Sequence, residues 1–235
     1  QIRAAGGVGN ALVLADDSWH QGVVGIVASR LVEAFYKPTI VLTKSNGFVT
    51  GSARSIPGFD LYDAIEHCSE FLESFGGHMY AAGLTMKEKN LNAFSEKFEA
   101  YVASKITEEL MIPIVKIDTP LEFKQITPKF FRVLKQFQPF GPGNQSPVFI
   151  TENVYDNGNG RLVGSGNGHM KLELIQEDEP YHSISAIAFN RSEHFDNIHS
   201  GNPVDICYSI AENYFRGLAN LQLRIKDIKQ RECIV

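Results

Sequence analysis

Apolar residues repeat with two different periods along this chain, helical through much of the first half and alternating in the second. Residues 11–15 form a short apolar run of β character. Over residues 22–36, Val23, Val24, Val27, Leu31, Ala34 and Phe35 recur at helical spacing, and Lys37-Pro38 ends the helix. Residues 39–43 read as a buried strand, so strand, helix and strand joined by short links imply a parallel pair with a right-handed crossover. Asn46-Gly47 is a strong hairpin signal and sets residues 48–54 antiparallel to the strand before them. After a turn at Pro57-Gly58, Asp60 reads as an N-cap, and Leu61, Ala64, Ile65, Cys68 and Leu72 mark the apolar face of a second helix. Gly76-Gly77 is expected to end that helix as a left-handed cap. Residues 81–86 read as another strand, and Asn90 as the cap of a last helix that turns Leu91, Phe94, Phe98, Tyr101 and Val102 to the sheet.

The pattern is broken over residues 113–128, where Pro113, Pro120 and Pro128 interrupt any long helix and suggest a connector. Thr127-Pro128 opens a short helix, threonine at the cap and proline in the first turn, with Phe130, Val133, Leu134 and Phe137 as its expected buried stripe. Residues 170–174, 184–189 and 221–228 then alternate, or nearly so, between clusters of glycine and asparagine, which suggests a small barrel. The expected fold class is an α/β domain, a mixed sheet flanked by helices over residues 1–112, followed by an all-β barrel with an entry helix over 129–235.

A chain of 235 residues, 43% hydrophobic, suits one large or two modest domains with real cores. Without an apolar run of about 18 residues or a signal-peptide pattern it reads as soluble, with no membrane partner. Cys68, Cys207 and Cys233 have no paired spacing, which fits a reducing cytoplasm and argues against a zinc cluster. Gly6, Gly7 and Gly9 follow no strand, so they read as a frayed terminus rather than a phosphate loop. The formal charge of −5 divides into nine basic against thirteen acidic residues up to Ile112 and thirteen against fourteen from Pro113 onward. Neither half makes a basic field, so any nucleic acid must be held by local patches and by stacking.

Two stretches carry candidate chemistry. In Phe75-Gly76-Gly77-His78-Met79-Tyr80 the paired glycines bring the backbone close to whatever faces it, next to a histidine. Alone, such a turn more often has its histidine on a backbone carbonyl. Gly51-Ser52-Ala53-Arg54 shifts the balance, because Ser52 and Arg54 share one face of an extended segment and together suit a phosphate. His20 can donate to an anion at the helix start or act as a simple cap, and Trp19 is as much a packing aromatic as a substrate contact. In the barrel Tyr155, Arg161, Lys171, Tyr214, Phe215 and Arg216 are candidates for stacking bases and holding phosphates. For Lys171 and Arg224 a solvated side chain is the commoner explanation. His169, His182, His194 and His199 share no metal-ligand spacing, and Asp16-Asp17 reads as a strand-end turn.

The segment from Trp19 to Arg30, the Ser52/Arg54 stretch, the glycine-histidine stretch and Phe137-Gln138-Pro139-Phe140-Gly141-Pro142-Gly143-Asn144 together, in this order, resemble the RecJ family of single-strand-specific DNA exonucleases. They match the part that follows the catalytic half, a DHHA1 domain and an OB-fold. The Asp-His-His motif of the superfamily is absent from the chain, which also opens on Gln1, as an excised or processed piece would. The resemblance implies a substrate-binding portion of a 5′→3′ exonuclease of DNA repair and recombination. That portion is expected to be inactive without its Asp-His-His half, where Mn2+ or Mg2+ is held, and to need no cofactor of its own. It implies that Ser52 and Arg54 contact the 5′-terminal phosphate, and that Gly76, Gly77 and His78 close over the substrate, His78 as an auxiliary contact to the transition state. The implied partners are single-stranded DNA, the missing half and other repair proteins. Two other functions compete: a phosphoesterase of short oligonucleotides or cyclic dinucleotides, which the β-rich tail disfavours, and a non-enzymatic OB adaptor docking a repair protein.

Overall fold

The computed structural model describes residues 9–141, 143–215 and 217–231, and of Ser45, Phe215 and Leu218 the backbone only. Gly6, Gly7, Arg216 and Cys233 therefore lie outside the described residues. The chain divides into two compact units, 1–114 and 115–235.

In the first unit β1 (Leu12–Asp16), α1 (Val24–Phe35) and β2 (Thr39–Ser45) follow one another, with β1 and β2 parallel. Asn46 and Gly47, both at positive φ, turn the chain into β3 (Phe48–Arg54), antiparallel to β2. After α2 (Leu61–Glu66), β4 (Leu72–His78) and β5 (Ala81–Lys87) form a hairpin, and α3 (Leu91–Lys105) closes the unit. The sheet order is β1-β2-β3-β5-β4. Alternate residues Ile40, Leu42, Val49, Ala53, Leu84 and Met86 bury one face with Phe94, Phe98 and Val102 of α3. On the opposite face Val24 and Ala28 of α1 cover Val41, with Trp19 packed alongside, so Trp19 serves packing.

Three local expectations are corrected. The second helix ends at Glu66, and Gly76 and Gly77 lie inside β4 instead of capping a helix. The spacing of Cys68 and Leu72 continues the helical period by coincidence, because a 3-10 turn (Ser69–Phe71) keeps Cys68 buried while Leu72 already begins the strand. Asn90 stands before α3 but its side chain donates to the Phe71 carbonyl at 3.0 Å, not to the helix. Asp60 does cap α2, accepting from the Asp63 amide.

The second unit is a barrel. β7 (Phe149–Asp156), β9 (His169–Gln176), β10 (Glu179–Ala188), β11 (Val204–Phe215) and β12 (Leu218–Gln230) are joined in the order β7-β11-β12-β10-β9, and β7 pairs with β9 to close the ring. The short β6 (Thr119–Pro120) and β8 (Arg161–Val163) extend it at β7 and β9. Residues 115–128 belong to this unit and not to a connector: β6 pairs with β7, and Leu121, Phe123 and Ile126 are buried in the barrel core. Proline rules out a long helix but not a short edge strand, so the three prolines did not mark a linker. Thr127 caps α4 (Pro128–Lys135) by accepting from the Phe130 amide. Its buried residue is Phe131, flanked by Phe130 and Leu134, whereas Val133 and Phe137 are 50% and 59% exposed. Phe130 and Leu134 of the expected stripe therefore pack against the core, while Phe131 takes the place expected of Val133 and Phe137. A second short helix, α5 (Phe195–His199), precedes β11.

Inside the barrel the Thr151 hydroxyl donates to the Leu121 carbonyl at 2.5 Å and lies 2.8 Å from the Tyr208 hydroxyl, all three buried. With its proton committed to Leu121, Thr151 accepts from Tyr208. Burial pushes the Tyr208 phenol up to about 12. It likewise raises Cys68, to about 11, and Cys207, so the two described cysteines are packing residues.

The two ends of this bond carry unequal weight. Tyr208→Phe removes a donor and leaves Thr151 bonded, costing about 1 kcal/mol, whereas Thr151→Val strands the buried phenol and should cost about 2–3 kcal/mol. Urea unfolding followed by circular dichroism measures both, and equal losses would contradict this direction of donation.

Candidate nucleic-acid interface

In the first unit the register of β3, β5 and β4 brings the predicted residues together. Arg54 pairs with Ala81 and Ala81 with His78; one step along, Ser52 pairs with Gly83 and Gly83 with Gly76. Antiparallel partners point to the same face, so Ser52, Arg54, Gly76 and His78 share the face opposite the main core. Two strand spacings put the Arg54 and His78 backbones about 10 Å apart. Ser52 and Arg54 sit at the end of β3, as expected, since the strand runs through Arg54 before the chain turns.

The Arg54 guanidinium donates to the Ser52 hydroxyl at 2.5 Å and to the Ala53 carbonyl at 2.8 Å, with no ion pair among the described residues. Gly25, in the first turn of α1, lies directly over this pair: a Cβ there would stand 3.0 Å from Arg54 Nη2 and 3.3 Å from Ser52 Oγ. No side chain caps α1. A helix start, a guanidinium and a hydroxyl thus converge, each suited to an anion. From there toward His78 the floor carries almost no side chain. A Cβ on Gly76 would meet nothing within 4 Å, and one on Gly83 only the Gly51 carbonyl at 3.7 Å. The next row adds hydroxyls that no sequence motif marked, Thr50 and Thr85, whose Oγ atoms are 2.7 Å apart.

Gly77 points the other way. It has φ 154°, and a Cβ there would lie 2.3 Å from the Ala81 carbonyl oxygen. Its role is to let β4 approach β5 and so bring His78 alongside Ala81. The hairpin tip is fixed from below, as the Ser55 amide donates to the Tyr80 carbonyl and the Leu61 amide to the Met79 carbonyl. His20 is exposed, and its Nδ1 accepts from the Gly22 amide at 3.0 Å in the turn ahead of α1, so it does not cap the helix; that bond leaves Nε2 to carry the proton. Asp16 ends β1 and accepts from both the hydroxyl and the amide of Ser18, bonds that hold its carboxyl below the ordinary range.

In the second unit Arg161 pairs with Lys171, Lys171 with Ile187, and Ile187 with Arg224, so three cations stand in one row across the outer surface. None of the three makes an ion pair among the described residues, in contrast to Lys135 with Glu212 and Arg231 with Asp205. Arg161 and Lys171 line a groove of about 570 Å3 whose other walls include Glu173, Ser185, Asn213 and Gln222. Tyr214 is not there. It lies with Arg224 in a separate groove of about 340 Å3 beside α4. Tyr155 is half-buried on β7, at the pairing that closes the barrel. The structure thus joins Arg161 and Lys171 and separates both tyrosines from them; the Phe215 side chain and Arg216 lie outside the described residues. Among the described residues no helix is long and apolar enough to cross a membrane.

An α/β unit with a mixed sheet followed by a closed five-stranded barrel is the make-up of a DHHA1 domain joined to an OB domain, and sequence comparison gives the same two parts: residues 8–104 match the DHHA1 domain and residues 117–227 the RecJ OB domain. The chain belongs to the RecJ family, as its DHHA1 and OB portion. It is 33% identical over 219 residues to the single-stranded-DNA-specific exonuclease RecJ of Bacillus subtilis, covering 92% of this chain and 27% of that protein. It is 31% identical over 225 residues to that of Escherichia coli, covering 92% and 38%. The chain therefore spans about a third of the length of these relatives. The crystal structure of RecJ in complex with Mn2+ from Thermus thermophilus matches with a TM-score of 0.73 at 27% identity, over 95% of this chain and 31% of that one. A second Thermus thermophilus structure, with Mg2+, gives 0.69. Among the described residues no three histidine, cysteine or acidic side chains are grouped to hold a metal ion, so this donor set does not fit either ion.

The two adjacent glycines should behave oppositely. Gly77→Ala is expected to lose about 2–3 kcal/mol of stability through strain and collision with Ala81, while Gly76→Ala should stay within about 0.5 kcal/mol. Denaturant midpoints of the two variants test this, and comparable losses would contradict the assigned geometry.

Proposed function

We propose that this chain is the substrate-holding portion of a RecJ-like 5′→3′ single-stranded-DNA exonuclease acting in DNA repair and recombination. The observation that carries it is the Arg54–Ser52 pair beneath the first turn of α1, opening onto a side-chain-poor shelf that ends at His78. Arg54 offers a planar fork to a terminal phosphate, Ser52 a further hydrogen bond, and the α1 amides add partial positive charge. A 5′-terminal phosphate carries more negative charge than an internal diester, so this end of the shelf favours the strand terminus. The glycine floor admits the strand closely, and His78 hydrogen-bonds a phosphoryl oxygen further along, where such a donor gains strength as charge develops. Divalent metal ions would be held by an Asp-His-His half rather than by this chain, and there they would supply the attacking hydroxide.

Two measurements test this. In the complete enzyme, Arg54→Ala should lower the preference for 5′-phosphorylated over 5′-hydroxyl ends by about tenfold or more, the worth of a charge-assisted hydrogen bond. General affinity for single strands should change far less, and an equal loss on both ends would contradict the role. The 235-residue chain by itself should show no turnover of single-stranded DNA with manganese or magnesium; robust turnover would mean that the chain holds its own metal seat.

A further inference from the structure

On the outer surface of the barrel, next to the cation row, stands an aromatic residue outside the six barrel candidates, Phe189. Ala188 points into the core, so Phe189, one residue on, points outward with Ile187 and is 53% exposed. Its ring meets His169 edge to face, centroids 5.2 Å apart at 73°. His169 is itself held, since its Nδ1 accepts the Asn190 amide at 3.0 Å and the Gly164 backbone lies against the imidazole edge. A loose surface phenylalanine would have no such brace.

His169 and Lys171 are alternate residues of β9, and Ile187 and Phe189 alternate likewise where β10 ends, so the aromatic pair lies about 7 Å from the cation row on the same side of the barrel. Beyond the row lie the amides and hydroxyls of the groove, with the Glu173 carboxylate among them. That acid disfavours phosphate on its side and leaves the Arg161–Lys171–Arg224 row as the favourable line for an anionic backbone. A flat apolar surface beside a line of cations without acidic partners among the described residues matches a ligand in which flat rings alternate with negative charges.

We infer that Phe189, braced by His169, is a base-stacking platform for single-stranded nucleic acid, and that Arg161 and Lys171 hold the adjoining phosphates. This rests on the proposal that the chain binds single strands, and assigns to it a site and residues. The division of labour is specific: the ring contacts a base, of any sequence, and the cations contact the backbone.

The test is fluorescence anisotropy of the 235-residue chain with oligothymidylate and with an abasic oligomer of equal length and charge. Phe189→Ala should weaken binding to oligothymidylate by about tenfold or more and leave the abasic oligomer unaffected. Arg161→Ala with Lys171→Ala should weaken both, and reduce the slope of log K against log salt by about 1.4 for two lost phosphate contacts. Phe189→Trp should retain affinity and add tryptophan fluorescence that oligothymidylate quenches, a readout independent of the alanine variant's folding. If Phe189→Ala weakens both oligomers equally or neither, or if the introduced tryptophan does not respond, the platform is refuted while single-strand binding stands. If the unaltered chain binds neither oligomer, the proposal of strand binding falls, and the platform with it.

Discussion

Ala81 is hydrogen-bonded in the sheet between Arg54 on one side and His78 on the other, and because antiparallel partners face the same way, this pairing puts a guanidinium and an imidazole on one surface. Everything proposed for the first unit depends on that register. A slip of one residue in either strand would turn Arg54 or His78 into the core occupied by Phe94 and Phe98. The register is protected at both ends. Gly77 permits the close approach of β4 to β5, and Ala53 and Ala82, buried on the other face, leave no room for larger side chains to rotate through.

The same alternation organises the second unit for a different purpose. Met170, Leu172 and Leu174 fill the barrel while Lys171 and Glu173 between them face out. Much of the exterior charge is neutralised locally: Lys135 by Glu212, Arg191 by Asp227, Arg231 by Asp205 and Glu152. A chain of net charge −5 can therefore still present an anion-seeking surface. The cations that matter to it stand without an acidic partner among the described residues, Arg54 on one unit and the Arg161–Lys171–Arg224 row on the other.

Much of this was legible in the sequence where the signal is local. Asn46-Gly47 marked the β2–β3 hairpin, alternation along β3 put Ser52 and Arg54 on one face, and Thr127-Pro128 marked the start of α4. The β4–β5 hairpin was not legible, because a Gly-Gly pair marks the end of a helix as readily as a close approach between strands, and Cys68 and Leu72 happened to continue the helical period. Closure of the barrel through β7 and β9 has no local signature at all, as it joins strands far apart in the chain. Nor does the outward placement of Tyr214 away from Arg161. Phe189 did leave a trace: it is an aromatic on the face opposite Ile184, Ala186 and Ala188, where alternation calls for a polar residue. Only the structure adds that His169 braces it.

The central claim, that the Arg54 end of the shelf receives a strand terminus, is tested most directly by determining the structure of the chain with a short 5′-phosphorylated oligothymidylate. The expected result is a terminal phosphate within hydrogen-bonding distance of the Arg54 guanidinium and the Ser52 hydroxyl, below Gly25, with the following nucleotide on the glycine floor toward His78. A terminal phosphate bound elsewhere, with Arg54 still turned to Ser52 and the floor between Gly83 and Gly76 empty, would contradict it.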